Sequence, residues 1–426
     1  MGRLTYDQLN IIKDKFGVDK LWSFSKVSTF TQCSWLYKLK YVDKIPVKGD
    51  NCYTWWGTVG HDLVQGLYDG EHTYGQMIEK LEDKVVEYNV LIIENPKLKF
   101  PNDSEYEHYI ANLRHYFTNV KMIPYKVFNE KPVLAKFDGI EQYVFQGYID
   151  STYEDDEGNT IILDYKTSSM SGFSGAKLLE KSRQLMIYAM GLNMFLKIPL
   201  ERIKIRYDMM KYVNVSYVQK NGSVKVTKAE RRLWVGKIAN PLRKDLEDVS
   251  KAIEALNKEY AKLEKKHNAK IRTEEEKIEL KEQMDQVTAK VEELNKFVFD
   301  AIEINEMIEE AISMNSLSNM PEFIQDKYTI TDCYIDVELT SEIMDEFKSE
   351  LIATLDKIIE KESEEDKDEA FNRSRIENAD SYYCTNLCDM KDHCKFYQEY
   401  KEHNAMFLSK KEEAPSDEEL LAMLGL

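Results

Sequence analysis

The sequence predicts an α/β (α+β) fold in which helices flank a mixed central sheet. Three observations carry this. Between residues 125 and 228 the pattern runs strand, strand, strand, helix, strand, strand, which suits one compact sheet-and-helix unit. After Asn240 the period changes to heptads on two successive stretches, the mark of an inserted antiparallel coiled-coil hairpin. Near the end, Cys384, Cys388 and Cys394 stand at C-x3-C-x5-C, which is metal-ligand spacing rather than disulfide spacing.

The first third reads as helical, with segments near 6–16, 28–41, 53–69, 75–91 and 104–121. Strands are expected near 125–137, 141–153 and 160–167, each rich in Tyr, Val, Ile and Phe. A helix near 177–195 follows, then strands near 202–218 and 222–228. The first heptad seam is Leu242, Leu246, Val249, Ile253, Leu256, Tyr260 and Leu263. The second is Leu280, Met284, Val287, Val291, Leu294, Val298 and Ala301. The turn between them falls near residue 272, where Thr273 and Glu276 form a capping box. A helix near 340–360 leads to the cysteine cluster, and Ser416–Leu426 reads as a capped amphipathic helix after an acidic linker. Five regions result: 1–124, helical; 125–239, core sheet and helix; 240–303, helical hairpin; 304–403, helical with the cysteine cluster; 404–426, acidic tail.

The net charge of −18 is unevenly spread. Residues 351–426 hold 19 acidic against 10 basic side chains, a net of −9, whereas residues 1–60 hold 9 basic against 5 acidic, a net of +4. Such asymmetry leaves room for a local basic surface while opposing nonspecific wrapping of long duplex. No apolar run reaches the ~20 residues that span a bilayer, and Met1–Lys20 is charged and amphipathic, so a cytoplasmic protein is expected. No phosphate-binding P-loop exists: before Gly236-Lys237, Arg231 stands where the loop's first glycine is required.

The chemistry concentrates in Gly147-Tyr-Ile-Asp150, a polar turn, and Ile161-Ile-Leu-Asp164-Tyr165-Lys166. A hairpin folded about residue 157 pairs positions 150 and 164, with Cβ atoms roughly 4.5–5.5 Å apart. Two carboxylates so placed repel unless a cation lies between them. Lys166, two residues on, shares the face of Asp164. Asp, Asp and Lys at the end of an apolar hairpin describe a divalent-metal site with a positioned ammonium. His61, in Gly57-Thr-Val-Gly-His61, supplies an imidazole suited to Mn²⁺-like ions. Gln184 and Tyr188, four apart on a helix, share a face; a packed Tyr with a solvated Gln and a pair lining a substrate groove fit equally well.

In order, Gly57-x-x-x-His61, Gly147-x-Ile-Asp150, Asp164-Tyr-Lys166 and Gln184-x-x-x-Tyr188 resemble the motifs of the PD-(D/E)XK nuclease superfamily, in its RecB-like branch. Ser25–Tyr41, containing Cys33, is similar to the N-terminal helix of AddB-type and CRISPR-associated relatives, where it supplies the first ligand of a four-cysteine iron–sulfur cluster. The resemblance covers residues 25–190 and 384–397. It implies that Asp150, Asp164, His61 and the Tyr165 carbonyl hold one or two Mg²⁺ or Mn²⁺ ions. Lys166, Gln184 and Tyr188 would act on water and substrate, and Cys33, Cys384, Cys388 and Cys394 would bind a structural [4Fe–4S] cluster. Two departures leave zinc as the alternative metal. Three residues rather than two separate the first C-terminal cysteines, and Ser34 stands where Pro commonly follows Cys33.

The function so implied is a metal-dependent DNA exonuclease acting on single strands or ends in recombination, repair or replication. The alternative is a non-catalytic DNA-binding adaptor that assembles partners through the coiled coil. DNA is the expected partner and no membrane is involved. The hairpin tip with Lys262, Lys265, Lys266, His267, Lys270 and Arg272 reads first as a solvated tip and the tail as a terminus that binds nothing; the sharper readings are a DNA-backbone or partner contact at the tip and docking of the tail, the partner being a helicase, clamp or single-strand-binding protein.

Overall fold

The computed structural model describes residues 4–46, 51–137, 140–269, 273–377 and 381–412. Among the described residues seven strands form one mixed sheet. They are β1 (Leu21–Trp22), β2 (Phe128–Phe137), β3 (Ile140–Glu154), β4 (Thr160–Lys166), β5 (Ile203–Val218), β6 (Val224–Glu230) and β7 (Thr329–Val337). Their order is β1-β3-β4-β5-β6, with β2 also on β3 and β7 also on β5. β1 runs parallel to β3, while the β2–β3, β3–β4 and β5–β6 pairs are antiparallel.

The chain divides into two compact units. The first comprises Met1–Asp103, Lys121–Asp208 and Tyr334–Leu426; the second comprises Ser104–Val120 and Met209–Cys333. In the first unit, helix α1 (Tyr6–Phe16) begins on a capping box between Thr5 and Gln8 and ends at Gly17 in the left-handed conformation, φ 63°. Two short helices, α2 (Phe24–Gln32) and α3 (Ser34–Tyr37), replace the single helix expected over 28–41. The break is Cys33, whose extended backbone (φ −164°, ψ 117°) ends one helix and caps the next, its Sγ accepting from the Leu36 amide at 3.4 Å.

Helices α4 (Cys52–Tyr68), α5 (Tyr74–Glu94) and α6 (Asp103–Asn119) lie within two or three residues of expectation. Helix α7 (Gly175–Leu196) packs on β2 and β3, and α4 packs on β4. Gly191 permits the close approach of α7, since a Cβ there would lie 2.2 Å from the Leu134 carbonyl oxygen. The β3–β4 turn is held by Asp155, whose Oδ1 accepts from the amides of Glu157 (3.0 Å) and Asn159 (2.8 Å), while Gly158 takes φ 75°.

In the second unit, short α8 (Trp234–Lys237) leads into α9 (Ala239–His267), which packs against α10 (Glu274–Asn295). Thr273 and Glu276 form the expected capping box. The seam residues from Val249 to Leu294 are buried or half-buried among exposed neighbours. The heptad pattern overruns the helix, however. Chain direction changes after Asn295, Val298 is 44% exposed, and Ala301 starts a new helix, α11 (Ala301–Met314). Leu242 and Leu246 pack instead in a core with Trp234, Val235, Ile304 and Ile308. Helix α12 (Glu322–Lys327) precedes β7, a strand inside a stretch expected to be helical. Asp332 of β7 pairs with the buried guanidinium of Arg231.

Back in the first unit, α13 (Ser341–Ser363) matches the helix expected near 340–360, and α14 (Lys367–Ala370) and the C-terminal helix Lys395–Glu412 follow. The predicted tail helix and the tip residues Lys270 and Arg272 lie outside the described residues. Among the described residues no helix is long and apolar enough to cross a membrane.

Candidate active site

The ladder pairs Ser151 with Leu163, Thr152 with Ile162, Tyr153 with Ile161 and Glu154 with Thr160, so Asp150 and Asp164 are the next facing positions, as the hairpin arithmetic predicts. Asp164 is buried, 6% exposed; its Oδ2 makes no hydrogen bond of good geometry, although Lys166 Nζ lies 2.6 Å away. Burial, followed by the Asp164 charge, pushes the Asp150 carboxyl up to about 6, against the pull of His61 and Lys166. Burial works against the Lys166 ammonium, but the Asp164 and Asp150 carboxylates outweigh it and hold its pKa above the ordinary value.

His61 reaches this pair from α4. Its Nε2 lies 2.8 Å from the Tyr165 carbonyl oxygen and its Nδ1 lies 3.3 Å from Asp150 Oδ2. A carbonyl can only accept, so Nε2 carries a proton. Nδ1 and the carboxylate then need a second proton between them, which suits a carboxyl that titrates near 6.

Gln184 and Tyr188 meet on α7, Nε2 donating to the phenol oxygen at 2.7 Å. Burial raises the Tyr188 phenol; the Gln184 bond opposes this and the Asp150 charge adds to it. The ring lies flush against β3 because residue 147 has no side chain: a Cβ there would stand 2.3 Å from Tyr188 Cε1. The glycine of the Gly147-x-Ile-Asp150 motif therefore serves the Tyr of the Gln184-x-x-x-Tyr188 motif.

As the side chains stand, no three His, Cys, Asp or Glu among the described residues converge to hold an ion. His61 is turned to the Tyr165 carbonyl and Asp164 to Lys166. The donors nevertheless fit a hard dication in kind: two carboxylates, one buried with an oxygen lacking a hydrogen bond, beside an imidazole and a backbone carbonyl.

No disulfide joins cysteines among the described residues. Cys33, Cys384, Cys388 and Cys394 line one small cavity, with Trp35, Leu36 and Met390 among its apolar walls. Burial pushes the Cys388 thiol up to about 11, and Arg373 Nη1 donates to Cys33 Sγ at 3.4 Å. Four thiols in one cavity match a four-thiolate cofactor in number. Cys52 and Cys333 are buried elsewhere.

Two features escaped sequence reasoning. Glu130 lies on β2 between the pairs Asn129–Ser151 and Lys131–Ile149, opposite Asp150, with a left-handed backbone at φ 44°, and its charge adds to the upward push on Asp150. A groove of about 800 Å³ opens from Lys166, with Lys177, Lys181 and Arg183 along it. The spacing 177–181 on one helix face was the available signal.

No curated protein matches this chain. A family model of the PD-(D/E)XK nuclease superfamily matches residues 21–395, a span that holds His61, Asp150, Asp164, Lys166, Gln184, Tyr188 and all four cavity cysteines. The chain belongs to the PD-(D/E)XK nuclease superfamily.

Proposed function

We propose that this protein is a Mg²⁺- or Mn²⁺-dependent DNA exonuclease, acting on single strands or ends in recombination, repair or replication, with an iron–sulfur cluster on its four cavity cysteines. The observation that carries the reading is the facing Asp150–Asp164 pair with Lys166 against it and His61 between strand and helix. Asp150, Asp164, His61 and the Tyr165 carbonyl would hold the cation. When bound, it supplies an acidified water and neutralises charge on the phosphate.

The chain's own groups do the rest. Lys166, kept protonated by its acids, orients that water or pairs with the phosphate rather than serving as a base. Asp150 must shed its proton before it can serve as a ligand, so activity falls as pH drops through about 6. Gln184 and Tyr188 hold the substrate beside the acids. The cysteine set would join α2–α3 to residues 384–394 as a structural staple. The α9–α10 pair would act as a coiled-coil arm and the tail 416–426 as a docking peptide for a helicase, clamp or single-strand-binding protein.

The test is release of nucleotides from end-labelled linear DNA with Mn²⁺, compared with EDTA and with circular single strands. Asp164→Ala and Lys166→Ala are expected to abolish release without loss of fold. Wild-type rates from either variant would remove the assignment, and cutting of circles would replace exonuclease by endonuclease. Iron content and a visible chromophore in anaerobically purified protein test the cluster, with colourless zinc-loaded protein as the contrary result.

A further inference from the structure

The sulfur of Cys33 is met by a segment far along the chain. Residues 370–376 form an irregular strap that lies against the break between α2 and α3. Its first anchor is Phe371, fully buried, whose ring stacks on Tyr37 (5.7 Å between centres, 14° between planes) and meets Phe30 edge-on at 6.4 Å. Its last is Ile376, which packs with Trp35, Leu36 and Leu39. Between them Ser34 Oγ donates to the carbonyl oxygens of Phe371 (3.0 Å) and Asn372 (3.3 Å), and the Lys361 ammonium donates to the Ala370 carbonyl. A proline at position 34 would have no hydroxyl to make these bonds.

Arg373 is the next residue, and the anchors fix where its guanidinium points. Its Nε donates to the Ser374 carbonyl at 3.0 Å and its Nη1 to Cys33 Sγ at 3.4 Å. The same sulfur accepts from the Leu36 amide, also at 3.4 Å. Arg373 is half-buried and lines the cavity that Cys33 shares with Cys384, Cys388 and Cys394, and its charge reaches Cys394 as well. The donors to Cys388 (the Met390 amide) and to Cys394 (the Phe396 and Tyr397 amides) are neutral. A guanidinium is always charged, and a charge-assisted hydrogen bond is roughly twice as strong as a neutral one.

Four thiolates around zinc or an iron–sulfur core make an anionic centre. A cation fixed on one of the sulfurs offsets that charge and orients the ligand, and partners in this position govern metal affinity by about tenfold or more. The same cation favours the reduced state of a cluster, because each added electron makes the centre more negative.

We propose that Arg373 is a positioning residue of the four-cysteine centre: it turns the Cys33 sulfur into the cavity, strengthens metal binding, and raises the reduction potential of an iron–sulfur cluster held there, with Ser34 setting its aim. The inference rests on the cofactor part of the function proposed above and adds to it a residue that is not itself a ligand.

The test compares anaerobically purified full-length wild type with Arg373→Met, Arg373→Lys and Ser34→Ala. Metal content is measured first, then the rate at which the metal passes to a chelator. Arg373→Met is expected to release its metal at least about tenfold faster. In iron-loaded protein, titration with dithionite should place its midpoint about 59 mV lower, a tenfold loss of the reduced form for one electron. Arg373→Lys keeps the charge and should recover at least half of both changes, and Ser34→Ala should show part of each. Wild-type release and potential in Arg373→Met overturn the inference and leave the cluster standing. Equal losses in the Lys and Met variants overturn it too, since a role in packing alone does not depend on charge. If Arg373→Met does not fold, wild-type release from Ser34→Ala is the overturning result. Zinc in the wild type removes the cluster, and the inference is then decided by the release rates; protein that holds neither metal removes both.

Discussion

Replacing Asp150 by Asn should stabilise the ion-free protein while destroying its activity. The Asp150 carboxyl titrates at about 6 in the fold against 3.8 ordinarily, first from burial and then from the Asp164 charge. A folded pKa above the unfolded one means that this group's contribution is fully present below pH 3.8 and is lost as pH rises through about 6. The displacement is a little over two decades of proton affinity, or about 3 kcal/mol at 1.36 kcal/mol per decade. Asn keeps the shape and sheds the charge, and because that displacement is already net of the His61 and Lys166 attraction, about 3 kcal/mol should return. At about 2.1 cal/mol/K per residue over 426 residues, that raises Tm by about 3 °C. The assay is thermal unfolding in EDTA at pH 8 and pH 4.5, with and without Mn²⁺. The variant should be more stable at pH 8, lose about two thirds of that advantage at pH 4.5, and gain less from Mn²⁺ than the wild type. Asp164→Asn should show no such gain, because Lys166 then loses its partner at 2.6 Å. Destabilisation of Asp150→Asn at pH 8, or a gain that ignores pH, refutes the strained-pair argument.

Gly147→Ala places a methyl 2.3 Å from the Tyr188 ring; it should cost about 1–3 kcal/mol and lower the cleavage rate at least tenfold, and an unperturbed melt would disprove the contact. Arg231→Met leaves Asp332 without its buried partner and should cost about 3–5 kcal/mol in urea unfolding. The His115 imidazole is lowered to about 4 by burial and then by Arg231; the unfolded chain therefore binds the extra proton first, stability falls as pH drops from about 6.5 toward 4, and His115→Gln should flatten that slope. Cys384→Ser should abolish the chromophore of the proposed iron–sulfur cluster, which is checked by absorbance and metal analysis.

The hairpin that carries the acids was legible because its determinants are local: the Asp155–Asn159 turn fixes the register, and register alone sets 150 against 164. The helices α1, α4 and α7 were legible for the same reason, from the local pattern of their residues. What failed was non-local. Two residues, Leu21 and Trp22, cannot display a period, so β1 had no signal until β3 lay beside it. β7 alternates, with Cys333, Ile335 and Val337 buried, but charged helical neighbours masked it. The heptad count ran on to Val298 and Ala301 because apolar spacing does not register the Asp300 cap that starts α11. Cys33 was read inside a helix, whereas its place at a break lets its sulfur face the cavity. Within the site, the role of Gly147 became visible only when α7 was seen against β3.

Trp35, Leu36 and Leu39 pack in one cluster with Ile376, Met390 and Phe396, and Arg373 meets Cys33 across a separation of 340 residues. During synthesis at about 5–20 residues per second, those three apolar side chains emerge early and wait roughly 20–70 s for the segment that covers them. Throughout that interval the nascent chain presents an uncovered tryptophan-bearing helix to chaperones, and no cofactor needing all four sulfurs can be loaded. Ribosome-bound chains arrested before residue 376 should accordingly be held by a chaperone and cleaved by protease near residues 33–39, and released full-length chains should not.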